Sequence, residues 1–138
     1  MSRLLRTAAL AASCALAMPA AAQDRDDTSA EITQGEMELA KLLEGRVAGE
    51  PQSCINDFRR PGMITIDGTA LVFRQGSTLW VNRTENPDRI DDSDRLVVRK
   101  FNATRTCRLD QVTTEDRFAG IYTGNLFLSD FVPYRRAD

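Results

Sequence analysis

Histidine is absent from this chain of 138 residues. That removes the usual general base and the commonest metal ligand near neutral pH. Ser-His-Asp and Cys-His nucleophile systems are excluded, as is any zinc site built on imidazole. Lysine is scarce, at Lys41 and Lys100 only, so arginine carries nearly all the positive charge. Carboxylate or phosphate partners would explain that bias, and so would the codon usage of a GC-rich genome. No basic stripe is present, so nucleic acid is not expected as a partner. No apolar run is long enough to cross a bilayer core of about 30 Å. Ser53, Ser77, Ser93 and Ser129 lie in no G-x-S-x-G elbow, and there is no glycine-rich phosphate loop. Asp57, Asp67, Asp110, Glu115, Asp116 and Asp130 are scattered, with no spacing that pairs them. A carboxylate-dependent hydrolase is therefore the third of three readings. Neither catalysis nor a cofactor is expected.

What the chain does have begins at its start. Arg3 and Arg6 precede an alanine-rich apolar run, and Met18-Pro19-Ala20-Ala21-Ala22 supplies small residues before Gln23. This is the pattern of a secretory signal peptide over residues 1–22. Ala11-Ala12-Ser13-Cys14 lacks the leucine of a lipoprotein box, so cleavage after Ala22 is expected rather than a lipid anchor at Cys14. Residues 23–32, with Asp24, Asp26 and Asp27, read as a flexible acidic leader. Residues 33–138 read as one β-rich domain. Residues 23–138 number 116 and carry 16 basic against 20 acidic side chains. Export leaves Cys54 and Cys107 as an even pair in an oxidising compartment, read as one disulfide. It would close a loop of about 54 residues and contribute on the order of 4 kcal/mol.

Thr33-Gln34-Gly35-Glu36 fits a capping box, and Met37, Leu39, Ala40, Leu42 and Leu43 follow at helical spacing before Gly45. A helix over about 34–44 is predicted, with Thr28 and Glu31 as an earlier possible cap. Beyond Pro51 the pattern alternates. A short strand is expected at 54–58. A meander of three strands follows at 63–66, 69–74 and 78–82, with Asp67-Gly68 as a type I′ turn and Gln75-Gly76-Ser77 as the next. Further strands are expected at 96–101, 106–113, 118–122 and 126–134. Six to eight short strands preceded by one helix imply a small antiparallel β barrel or sandwich.

Asp88, Asp91, Asp92 and Asp94 crowd one polar loop and could offer hard oxygen ligands to calcium, although the loop is not an EF-hand. Aspartates in turns that bond their own backbone are the plainer account. Trp80 alternates with Leu79 and Val81. If those two point inward, Trp80 is an exposed binding aromatic; if both sheet faces are covered, it is core. Asn82-Arg83-Thr84 and Asn102-Ala103-Thr104 are glycosylation sequons that the bacterial look of the signal makes irrelevant.

Cys54-Ile55, Ile66-Asp67-Gly68-Thr69-Ala70, Leu79-Trp80-Val81-Asn82-Arg83, Cys107-Arg108-Leu109 and Phe131-Val132-Pro133-Tyr134 together resemble a family of small exported proteins of alphaproteobacteria, notably sphingomonads. The resemblance runs from about Leu39 to Tyr134. It implies export and paired cysteines, and assigns no activity. The first expectation is thus a periplasmic or secreted, non-enzymatic interaction module that binds an envelope protein through a flat patch around Trp80. The second is a protein binding a small ligand or a divalent cation, through a cavity lined by Leu71, Phe73 and Val81 or through the aspartate loop.

Overall fold

The computed structural model describes residues 33–56 and 62–137. The expected signal peptide, Cys14, the acidic leader and the end of the strand expected at 54–58 lie outside them. Helix α1 (Gln34–Leu42) comes first, then β1 (Arg46–Ala48), β2 (Cys54–Asn56), β3 (Gly62–Ile66), β4 (Ala70–Gln75) and β5 (Thr78–Asn82). After a 3-10 turn at Pro87–Arg89 come β6 (Asp94–Arg99), β7 (Arg105–Cys107), β8 (Gln111–Asp116), β9 (Tyr122–Leu126) and β10 (Val132–Arg136). The strands form three antiparallel sheets, in the orders β1-β10-β5-β4-β3, β6-β8-β9 and β2-β7. None closes on itself, so the architecture is sandwich-like rather than a barrel. The ten strands exceed the six to eight expected because β1, three residues long, is too short to show a period, and the segment expected at 106–113 divides into β7 and β8.

Alternation along β4 and β5 builds two cores from one sheet. Ala70, Val72, Leu79 and Val81 point to one face, where Leu39 of α1 covers them together with Ile66. Leu71, Phe73 and Trp80 point to the other, where they meet Val112 and Leu126 of the three-stranded sheet, with Ile55, Ile90, Leu128 and Phe131. Phe73 and Phe131 meet edge to face, with ring centroids 5.6 Å apart. The five-stranded sheet is therefore the middle layer, and its central strands read as apolar runs rather than as alternation.

Thr33 caps α1, its hydroxyl accepting from the Glu36 N–H at 3.3 Å. The reciprocal half of the capping box does not form, because the Glu36 carboxylate turns outward to the Arg83 guanidinium. Gly35 lies against the β3–β4 turn: a Cβ there would stand 2.0 Å from Thr69 Oγ1 and 2.6 Å from the Asp67 carbonyl oxygen. That turn is not type I′. Ile66 pairs with Ala70, so three residues make the loop, and among them only Gly68 has a positive φ, 59°. Asp67 keeps a negative φ because the longer loop asks for one left-handed residue, not two.

Cys54 and Cys107 are bonded, and they face each other in the β2–β7 register. The Arg108 N–H donates to the Ser53 carbonyl at 2.8 Å, so the cysteines form a non-hydrogen-bonded pair, the narrower kind. The bond belongs to a non-reducing compartment. No helix among the described residues is long and apolar enough to cross a membrane.

Of the strand expected at 118–122, residues 118–121 are instead the turn joining β8 to β9, and Tyr122 opens β9. The Asp116 carboxylate accepts from the N–H groups of Phe118 (2.9 Å) and Ala119 (2.5 Å), and Gly120 adopts φ 65°. A side chain that captures local amides, followed by a left-handed glycine, outweighs the β propensity of Phe118 and Ile121.

Candidate functional site

Trp80 is not an exposed binding aromatic. It is 8% exposed and packs in the core beside Phe73, because both faces of its sheet are covered. The flat patch expected around it does not exist. Nor does one cavity join Leu71, Phe73 and Val81: the first two are packed in one core, and Val81 faces the other. Asn82 is fully buried, so the sequon at 82–84 presents no accessible acceptor.

The aspartate loop divides. Asp88 is on the 3-10 turn, 3.8 Å from the Arg89 guanidinium. The Asp91 carboxylate accepts from the Ser93 hydroxyl (2.6 Å) and the Ser93 N–H (2.8 Å). Those two bonds, the hydroxyl's first, hold its pKa below the usual carboxylate range. Asp94 opens β6 opposite Asp116 and accepts from the Thr123 hydroxyl at 2.5 Å. Asp91 and Asp92 come together with Asp67 from the β3–β4 turn, one carboxylate oxygen of each lying within 4.8 Å of the others. Asp88 and Asp94 line the same groove, of about 580 Å³, outside that trio. Asp67 was missed as a ligand candidate because only tertiary structure delivers it: the Gly68 N–H donates to the Ile90 carbonyl at 2.9 Å. Three exposed carboxylates supply part of the six to eight oxygens that calcium takes.

A larger cleft, of about 780 Å³, opens at the other end of β8. One wall is residues 108–113 and the other 125–130. Val112, Leu126 and Leu128 are its buried apolar base, while Leu109 and Phe127 stand at 76% and 58% exposure. The Arg108 guanidinium approaches Asp130 at 3.6 Å across the two walls.

Both walls are held by side chains bonded to backbone. Asp110, buried, accepts from the Phe101 N–H at 3.0 Å and the Cys107 N–H at 2.8 Å. The disulfide anchors the same wall immediately upstream. Opposite, Asn86 donates to the Asn125 carbonyl at 2.8 Å and accepts from the Phe127 N–H at 3.0 Å. Asn82 donates to the Ser129 carbonyl at 2.7 Å and accepts from the Ser129 N–H at 3.1 Å. Each asparagine thus acts as one residue of a missing strand. Shape and an apolar floor are what this cleft offers, since Asp110 is already committed to amides and Asp130 faces Arg108.

Comparison of the chain with protein families, with curated proteins and with solved structures finds no match.

Proposed function

We propose that this protein is an exported, non-enzymatic binding module of the cell envelope, periplasmic or secreted, that takes its ligand in the cleft between residues 108–113 and 125–130. The cleft itself carries the reading. Leu109 and Phe127 remain exposed above a floor that is already packed, and walls fixed by Asp110, Asn82 and Asn86 keep the opening formed before a ligand arrives. The disulfide and the charged-then-apolar N-terminus support export. Apolar contacts with a few polar groups suit a hydrophobic side chain of a partner protein, or a small amphipathic molecule.

Purification of the native protein from envelope fractions tests this. A stoichiometric companion is expected, lost in Leu109→Asp and Phe127→Asp but kept in Val47→Asp, an exposed site on another strand. A companion that survives both cleft substitutions overturns the reading. The Asp67, Asp91 and Asp92 trio favours a second reading, divalent-cation binding. Native mass spectrometry with calcium should then show one added ion, absent in Asp91→Asn; an unchanged mass removes it.

A further inference from the structure

Outside the cleft, the β8–β9 turn gathers three of the exposed large apolar side chains found among the described residues. Phe118 is 96% exposed, Ile121 65% and Tyr122 57%. Isolated exposed apolar residues are ordinary, but three within five positions of one turn are not.

This turn is also tightly built. The Asp116 carboxylate holds two of its amides, the Gly120 N–H returns to the Asp116 carbonyl at 2.9 Å, and the Asp116 N–H reaches the Ile121 carbonyl at 2.8 Å. Arg117 is drawn aside, its guanidinium donating to the carbonyls of Asp92 (3.0 Å) and Asp94 (3.1 Å). A preformed turn shows its apolar side chains without further loss of backbone entropy on binding.

The surroundings say what kind of surface it meets. Asp94 and Asp116 are cross-strand partners at its base, and both line the acidic groove with Asp67, Asp88 and Asp91. Asp92 joins Asp67 and Asp91 within 4.8 Å. Among the described residues there, Arg95 is paired with Glu115, which leaves six carboxylates against two guanidinium groups, Arg89 and Arg117, and Arg117 is bound to carbonyls rather than to carboxylates. An anionic bilayer would be repelled by this belt. A partner with lysine and arginine around an apolar socket would be attracted by it and steered toward it.

We propose that the β8–β9 turn is a second docking element, inserting Phe118 into an apolar socket of a basic partner protein while the flanking aspartates pair with the basic rim of that socket. The assignment is independent of the cleft.

The test uses the whole protein and a fluorescent synthetic peptide of alternating lysine and leucine. Anisotropy should report binding that weakens as salt rises. Phe118→Ser should weaken it at least tenfold, with an unchanged melting temperature because the ring is outside the core. Asp88→Asn with Asp92→Asn should weaken it mainly at low salt, and Met37→Ser, on the exposed side of α1, should leave it alone. No binding, or binding indifferent to Phe118→Ser, overturns the proposal. So does recruitment to phosphatidylglycerol vesicles that depends on Phe118, which would make the turn a membrane contact. Self-association abolished by Phe118→Ser overturns it too, by giving the turn to a second copy of the chain.

Discussion

Single residues in this protein often serve a neighbour rather than their own element. Glu36 leaves the capping box half made and pairs with Arg83, which joins the first turn of α1 to the end of β5. The Arg83 hydrogen bond holds the Glu36 pKa below the usual carboxylate range, against a smaller opposing effect of burial. Its stabilisation is therefore present above the unfolded pKa and disappears as pH falls through the folded one. Both partners are substantially exposed, so the pair contributes about 0.2–1 kcal/mol. Urea midpoints should put Glu36→Gln below the parent protein at pH 7, with a smaller gap at pH 3. An equal gap at both values would show that the effect is not electrostatic. Asn82 teaches a related lesson. In sequence it looks like a sugar acceptor; in the fold it is a buried clamp on Ser129. A local motif cannot say which backbone, 47 residues away, its side chain will meet.

At the scale of elements, α1 and the meander were legible because each has a strong period and a marked end. Thr33 caps the helix as its spacing required, and Gly76 has a positive φ of 57° in the two-residue turn before Thr78. The strand expected at 118–122 failed because the capture of amides by Asp116 is invisible to β propensity. The tight fit of Gly35 on the Asp67-Gly68-Thr69 turn was equally hidden, since nothing in the string places that turn beneath the helix. Gly35→Ala is therefore expected to destabilise the protein by about 1–3 kcal/mol through overpacking, despite alanine's better helix propensity. Chemical denaturation checks the sign. A gain in stability would mean that α1 shifts freely on its sheet.

Across the whole molecule, the cysteine pair was readable from export and even number alone, and it bonds as expected. The site was read less well. Trp80 gave way to the core because the sheet is the middle layer, a fact that emerges only when α1 and the β6-β8-β9 sheet both dock. The cleft at Leu109 and Phe127 had no local signature, since its walls join through the β8–β9 pairing of Thr113 with Asn125, 12 residues apart in sequence, and the far wall is fixed by Asn82 and Asn86 from a third segment. Replacing Cys54 and Cys107 by serine should lower stability by on the order of 4 kcal/mol and loosen the wall that carries Leu109. Unfolding curves measure the first effect, and amide exchange at residues 107–111 the second. The sheet order has its own consequence. β10 lies between β1 and β5, so Val132–Arg136 join the edge strand β1 to a sheet whose other strands all precede them. A polypeptide emerging N-terminus first holds β5 with one flank bare and β1 with no neighbour until residues 132–136 appear. Assembly of this sheet thereby waits on β10, and a chain stopped before it is left with the sticky border that invites misassembly or proteolysis.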